Sequence, residues 1–167
     1  MNSVWGRVCV VTGSARGLGR AIAAALGAAG GRLALCDILT DELEQTARDL
    51  RAAGCEVFAA PCDVSDSANV DAFFAQVEQA PGPVEVLVNN AALVPGAPED
   101  EVRRGRHYAY LTTPEPRTSL GFTSAMSDAE WLKYWGVNVH GVFFCTRAAL
   151  RQMEPRRIGR IVNIASI

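Results

Sequence analysis

The stretch "TGSARGLGR", Thr12 to Arg20, decides the fold because of what lies on either side of it. The run Gly6–Thr12 is too short for a helix and apolar on both faces, which is typical of a buried strand. The alanine-rich run Leu18–Ala29 strongly favours a helix, which a pair of glycines then ends. The quoted stretch is therefore predicted to be the loop of a strand–loop–helix unit.

Glycines in such a loop let the backbone turn tightly and approach a diphosphate, whose charge is met by N–H groups at the helix N-terminus. The spacing here is G-x-x-x-G-x-G, which differs from the G-x-G-x-x-G fingerprint. A glycine-rich loop alone is a weak signal, because glycines also serve plain turns, but in this context it predicts nucleotide binding. The candidate binding residues of the loop are Gly13, Ser14, Arg16, Gly17, Leu18 and Gly19.

Asp37 ends the second predicted strand and is a further candidate for the nucleotide site. A carboxylate at this place can accept hydrogen bonds from the ribose hydroxyls and repel a 2′-phosphate. The alternative is a helix-capping or loop aspartate without a ligand. Arg16 instead favours NADP, because a guanidinium near the ribose attracts a phosphate. The balance favours NAD as the cofactor, with NADP as the less favoured choice.

Strand and helix signals alternate along the rest of the chain. The predicted strands are Gly6–Thr12, Arg32–Asp37, a third that shares the range Cys55–Val64 with its exit loop, Val84–Ala92 and Arg160–Ala165. The predicted helices are Leu18–Ala29, Thr40–Gly54, Ser65–Ala80 and a longer one from about Asp128 to Met153. Apolar strands separated by helices predict a doubly wound, mostly parallel α/β sheet covered on both faces. A length of 167 residues fits a single domain.

The segment of residues 93–127 does not follow this alternation. It contains four prolines and the charged cluster "EDEVRRGR", and no clean period runs through it. We expect an irregular insertion here, since long loops of this kind are either mobile or serve as lids over a substrate. The two possibilities overlap.

Composition excludes several classes of function. The net charge of −2 argues against nucleic acid or an anionic membrane surface as a partner. Neither a signal peptide nor an apolar stretch long enough to span a membrane is indicated, so a cytoplasmic protein is expected. The five cysteines show no C-x-x-C spacing and are expected to be reduced and mostly buried. No metal site is predicted, since neither His107 nor His140 has suitably spaced partners.

Five motifs, in this order and in these contexts, resemble the short-chain dehydrogenase/reductase family. They are "TGSARGLG", "CDVSD", "NNAA", "VNVHG" and "GRIVNIAS". The resemblance covers nearly the whole chain and implies a Rossmann-type sheet of strand order 3-2-1-4-5. It also implies an oxidoreductase that transfers hydride between a nicotinamide cofactor and a small-molecule alcohol or carbonyl substrate.

The resemblance assigns further residues to the cofactor. Asp63 would hold the adenine amino group, with the Val64 backbone beside it. Asn89 and its neighbours, Ala91 among them, would line the adenine ribose and brace the central strand against Thr12.

Two residues are assigned to catalysis by the same resemblance. Asn138 would lie at a helix irregularity and hold a water of the proton relay. Ser166 would hydrogen-bond the substrate oxygen, where negative charge changes during hydride transfer.

The chain also departs from the family. Ala92 stands where the family usually has glycine, and the spacer from Asn90 to Asn138 is longer than the family's usual one. The Tyr-x-x-x-Lys pair is absent, because Tyr134 is followed four residues later by Asn138. We therefore expect residues 1–167 to be the N-terminal two-thirds of such an enzyme, with C-terminal elements of the fold missing.

This expectation bears on activity. The chain alone is expected to turn over poorly or not at all, and the full-length form is expected to be a homo-oligomer. A non-catalytic dinucleotide-binding or regulatory module is the alternative. Ser166 and Asn138 favour the enzyme modestly, since a binding module needs neither.

Overall fold

The computed structural model describes residues 4–93, 98–114 and 123–165 of the chain. Ser166, one of the two predicted catalytic residues, lies outside these ranges. The chain divides into two compact units, one formed by residues up to Ala92 together with those from Gly136 onward, the other by Leu93–Trp135.

The first unit contains a parallel sheet. Within the described residues its strands are β1 (Val8–Thr12), β2 (Arg32–Asp37), β3 (Val57–Pro61), β4 (Val86–Asn89) and β5 (Arg160–Asn163). Their spatial order is β3-β2-β1-β4-β5, and each neighbouring pair is parallel. This confirms the predicted Rossmann-type topology.

Helices connect the strands. They are α1 (Gly17–Ala28), α2 (Thr40–Ala52), α3 (Ser67–Gln79), α4 (Pro98–Thr112), α5 (Asp128–Trp135), a π-helical segment (Gly136–Gly141) and α6 (Val142–Arg156). Helix α3 buries the apolar face that its sequence predicts, Val70, Phe73, Phe74 and Val77. None of the helices among the described residues has the length and apolar character that crossing a membrane requires.

The core lies on both faces of the sheet. Val8 and Val10 of β1 belong to an apolar cluster with α3 and α6, while Cys9 and Val11 belong to a second cluster with α1 and α2. Successive side chains of a strand point to opposite faces, so a strand buried on both sides must be apolar at every position. This is the physical reason for the continuous apolar runs in the sequence.

Two regions differ from the sequence-based expectation. The segment described above as irregular contains α4, in the second unit, whose sequence is patterned by charge rather than by an apolar period. Pro98 stands at the first helical position, where the missing N–H costs nothing, so this proline begins a helix. The helix expected from Asp128 to Met153 is divided by the π-helical segment.

One face of the sheet is open beside β5. Val162 and Ile164 there are 47% and 42% exposed. Together with Ile22 and Leu26 of α1 and with Val86, they line an apolar groove of about 540 Å³. We call this the β5 groove.

Candidate functional site

The loop between β1 and α1 depends on glycine at two positions with left-handed backbone. Gly13 has a φ of 64°, and a Cβ atom there would lie 2.7 Å from the Ala91 Cα. Gly17 has a φ of 56°, but a Cβ atom there would meet nothing within 4 Å. Gly13 is thus packed against the chain after β4, whereas Gly17 has open space beside it.

Gly19 fixes the distance between the loop and α1. A Cβ atom at this buried position would lie 2.6 Å from the Asn90 side-chain nitrogen and would clash with the Gly13 carbonyl oxygen. The first turn of α1 therefore lies directly against the loop that precedes it.

The N-terminus of α1 is open to an anion. Its N-cap residue, Arg16, has extended backbone and makes no side-chain capping hydrogen bond. No acidic residue stands in this first turn, and both Arg16 and Leu18 are exposed. The first N–H groups of a helix have no partner within the helix, and they carry its positive dipole end. With the open space beside Gly17, these residues fit the diphosphate of a dinucleotide.

Ser14 is anchored to β2. It is fully buried, and its backbone N–H and its hydroxyl both donate to the Cys36 carbonyl oxygen, each at 3.2 Å. Among the predicted loop residues, Ser14 therefore holds the loop in place with its side chain.

Asp37 lies at the end of β2 and bonds to the loop directly. Its Oδ2 accepts from the Ala15 N–H at 3.0 Å, and its Oδ1 accepts from the Leu39 N–H at 3.1 Å. Asp37 therefore bonds within the loop, as the alternative in the sequence analysis described. Each carboxylate oxygen has a second lone pair, so the same group can still accept a hydroxyl hydrogen bond.

Thr12 and Asn90 form the junction between β1 and β4. The buried Thr12 hydroxyl donates to the Val88 carbonyl oxygen at 3.5 Å and accepts from the N–H groups of Asn90 and Ala91, both at 3.0 Å. The Asn90 side chain donates to the carbonyl oxygens of Thr12 and Gly13, each at 3.0 Å. Asn90, a neighbour of the predicted Asn89, is thus the residue that ties the glycine loop to β4.

The Asn89 side chain bonds to α6 and β5 rather than to the glycine loop. Its buried side-chain nitrogen donates to the Thr146 hydroxyl at 3.1 Å and to the Asn163 side-chain oxygen at 2.8 Å. Neighbouring residues near a strand end face opposite sides, so only one of two consecutive asparagines can face the loop. Strand register shows which asparagine faces the loop, since the first of the two, Asn89, is still paired within the sheet.

Asp63 and Val64 follow β3, on the same edge of the sheet as Asp37. The exposed Asp63 carboxylate accepts from the N–H and hydroxyl of Ser65 at 2.9 and 2.7 Å. Val64 is buried, and a Cβ atom at Gly141 would lie 2.8 Å from its Cγ2. The end of the π-helical segment therefore packs on the loop after β3.

Two thiols lie beneath this edge, directly before Asp37 and Asp63 in sequence. A side-chain hydrogen bond with Cys62, reinforced by burial, raises the pKa of Cys36 well above its usual value. The same hydrogen bond lowers the pKa of Cys62. All five cysteines are free thiols, and four of them are buried. The Cys62 N–H also donates to the Asp37 carbonyl oxygen at 3.1 Å, which joins the end of β2 to the residue after β3.

Asn138 lies within the π-helical segment, where the family resemblance implies an irregularity. Its side chain is exposed. A π-helical turn widens a helix and displaces carbonyl groups from the regular ladder, and such turns are frequent at functional sites. No cluster of residues able to bind a metal occurs in the parts of the chain that the structure describes.

Comparison with known proteins shows what the chain is similar to. The family model for short chain dehydrogenase matches residues 7–167. The 2,3-dihydro-2,3-dihydroxybenzoate dehydrogenase of Bacillus subtilis (strain 168) is 32% identical over 161 residues, which are 96% of this chain and 52% of that protein. The short chain dehydrogenase/reductase dpmpG of Macrophomina phaseolina (strain MS6) is 34% identical over 96% of this chain and 81% of its own length.

A solved structure agrees. A metagenomic short-chain oxidoreductase in complex with NADP superposes with a TM-score of 0.79 at 33% identity, covering 99% of this chain and 64% of that one. The chain spans about half the length of the first curated relatives that it matches.

Proposed function

Because the chain belongs to the short-chain dehydrogenase family, we propose that it forms the cofactor-binding part of a nicotinamide-dependent oxidoreductase. The reaction is hydride transfer between the cofactor and an alcohol or carbonyl group of a small molecule. The observation that carries the proposal is the open, uncapped N-terminus of α1 next to left-handed Gly17, with Asp37 bonded into the same loop.

In this proposal, different residues bind different parts of the cofactor. The amides at the start of α1 bind the diphosphate, because they supply N–H donors and a positive dipole end. Asp37 accepts from the ribose hydroxyls, and Asp63 binds the adenine amino group. Bound there, the nicotinamide ring would supply or accept the hydride.

NAD is the preferred cofactor in this proposal. The Ala15 N–H holds the Asp37 carboxylate at the end of β2, where a 2′-phosphate would bring further negative charge against it. The NADP of the similar metagenomic structure, together with the exposed Arg16, favours the phosphorylated cofactor. The two hydrogen bonds that hold the Asp37 carboxylate at the end of β2 support the choice of NAD in this proposal.

Catalysis is assigned to two residues. Asn138, in the widened helix, would hold a water that relays protons, and Ser166 would hydrogen-bond the substrate oxygen. Without a general acid, an enzyme of this kind loses on the order of 10²–10⁴ in rate. We therefore propose that this polypeptide alone binds the dinucleotide but is close to inactive. The full-length form would be a homo-oligomer.

Titration of NADH and of NADPH into the purified chain, followed by nicotinamide fluorescence or by calorimetry, tests the cofactor site. We expect NADH to bind more tightly than NADPH, and Asp37→Ser to shift that preference toward NADPH by about tenfold, or ~1.4 kcal/mol. Asp41→Asn is the matched control, since it removes an exposed acidic charge in the first turn of α2. Binding of neither cofactor would refute the proposed site.

The second candidate function is a non-catalytic dinucleotide-binding or regulatory module. The loop geometry suits it equally well, because every anchoring contact serves binding alone. Mass spectrometry of the native polypeptide separates the two, since a longer product carrying Tyr-x-x-x-Lys favours the enzyme. Ordinary turnover by the purified 167-residue chain would contradict the proposed inactivity.

A further inference from the structure

Thr46 is a polar residue on the buried face of α2. Its neighbours on that face are Leu43, Ala47 and Leu50, and Thr46 itself is only 1% exposed. A threonine inside a helix commonly bonds back to a carbonyl of the preceding turn. Here the hydroxyl instead donates to the Ala15 carbonyl oxygen at 2.6 Å, 31 residues away in sequence. A valine would fill the same space without burying a hydroxyl, so this bond accounts for the polar residue.

Ala15 is held from two sides. Its N–H donates to the Asp37 carboxylate at 3.0 Å, and its carbonyl oxygen accepts from Thr46. In a trans peptide the carbonyl group and the N–H of the next residue point in opposite directions. The bond to Thr46 therefore turns the N–H of Arg16, at the N-cap position of α1, away from α2.

We propose that Thr46 is a positioning residue of the dinucleotide site, because its hydroxyl fixes the Ala15–Arg16 peptide that leads into α1. The proposal rests on the proposed function. Orienting the amides before the diphosphate arrives removes an ordering cost from binding. Thr46 itself touches no ligand in this account, and it acts through Ala15.

Calorimetric titration of NADH into the full chain and its variants, well below each melting temperature, tests the proposal. Thr46→Val keeps the shape and removes the hydroxyl, and we expect it to weaken NADH binding by about tenfold, or ~1.4 kcal/mol. Thr46→Ser keeps the hydroxyl, and its affinity should stay within about threefold of the parent chain.

Two control variants separate positioning from general effects. Asp49→Asn breaks the exposed Arg20–Asp49 ion pair of 2.8 Å, which also joins α1 to α2, and should leave the affinity unchanged. Val77→Ala opens a cavity in α3, on the other face of the sheet, and lowers stability without touching the loop. It should bind NADH as the parent chain does.

Hydrogen exchange of the free proteins gives a readout that needs no ligand. Thr46→Val should speed exchange of the Ala15 amide, which donates to the Asp37 carboxylate, while the amides of α3 keep the parent rate. If the parent chain binds neither NADH nor NADPH, the proposed function fails, and this exchange measurement still decides the role of Thr46.

Four results would overturn the proposal. They are unchanged NADH affinity in Thr46→Val, an equal loss in Thr46→Ser, an equal loss in Val77→Ala, and an unchanged exchange rate of the Ala15 amide in Thr46→Val. If Thr46→Val does not fold, the Thr46→Ser titration and the exchange rate of its Ala15 amide decide, since both should match the parent chain.

Discussion

The centre and one edge of the sheet differ in burial although the strands of both regions are hydrogen-bonded into the sheet. Every residue of β1 is buried, whereas three of the four residues of β5 are exposed. Strand β5 nevertheless pairs with β4 from Arg160 to Asn163. Strand pairing alone therefore does not make a core, and the half of the sheet that carries the glycine loop is the better covered one.

The polar contacts at the ends of these strands follow the same division. Around β1, the buried Thr12 hydroxyl and the Asn90 side chain make five hydrogen bonds that hold the loop. Beside β5, the contact between Asn89 and Asn163 joins a buried residue to an exposed one. Buried side-chain hydrogen bonds thus hold the loop region, and substitutions there should cost more stability than substitutions in β5.

The largest effect is expected from Gly19→Ala. A Cβ atom would meet the Gly13 carbonyl group and the Asn90 side chain, so the loop and α1 must separate. We expect the free energy of unfolding to fall by about 3 kcal/mol and dinucleotide affinity to be lost. Urea unfolding and NADH titration measure the two effects.

Gly105→Ala is the control for this substitution, because Gly105 is also helical and a Cβ atom there meets nothing. It should be neutral or stabilise α4 by about 0.5–1 kcal/mol. Equal stability of the Gly19→Ala variant and the parent chain would contradict the close approach of loop and helix.

The same substitution in the two strands tests the comparison directly. Val10 in β1 is 0% exposed, and Val162 in β5 is 47% exposed. Val10→Thr should lower the free energy of unfolding by about 1–3 kcal/mol, because a hydroxyl is buried. Val162→Thr should change it by less than about 0.5 kcal/mol. Urea midpoints measure both, and similar losses would show that the two strands are equally covered.

The smallest expected effect is a dependence of stability on alkaline pH. Burial, with a smaller contribution from the Glu85 charge, raises the pKa of Cys9 in β1 from 9.0 to about 11. The unfolded chain then loses the thiol proton first, so the stabilisation is complete below pH 9 and is lost as pH rises toward 11. The loss from this thiol should be about 1 kcal/mol by pH 10.

Urea unfolding between pH 8 and pH 10 measures this dependence. Cys9→Ala is the control, and its stability should fall less steeply with pH than that of the parent chain, whatever its stability at pH 8. Identical slopes would mean that Cys9 does not differ in protonation between the folded and unfolded states.

Much of the fold follows from local patterns. Strand β2 has the predicted bounds Arg32–Asp37, and α3 buries the predicted face, because apolar periodicity reports burial directly. Helix α4 escaped prediction since its pattern is one of charge and its first residue, Pro98, looked like a breaker. The strand order came from the family resemblance.

The site was less predictable than the fold. The glycine positions predict the loop. The residues that hold it, such as Asn90 and Thr46, are distant in sequence. The sequence does not indicate the role of Thr46, because a single threonine on an apolar helix face can also be a polar residue that the core merely tolerates. Its role depends on where α2 lies against the loop, which only the folded chain fixes.

The β5 groove has a practical consequence for anyone who handles this polypeptide. Apart from Arg7 and Arg160, the residues that line this groove of about 540 Å³ are apolar, and their side chains offer water no hydrogen-bonding partners. Burial of the groove's exposed side chains, Val162 and Ile164, against another chain would grow more favourable on warming, since the hydrophobic driving force weakens in the cold. The chains should therefore stay monomeric in dilute, cold solutions, whereas high protein concentration and warming should favour aggregation.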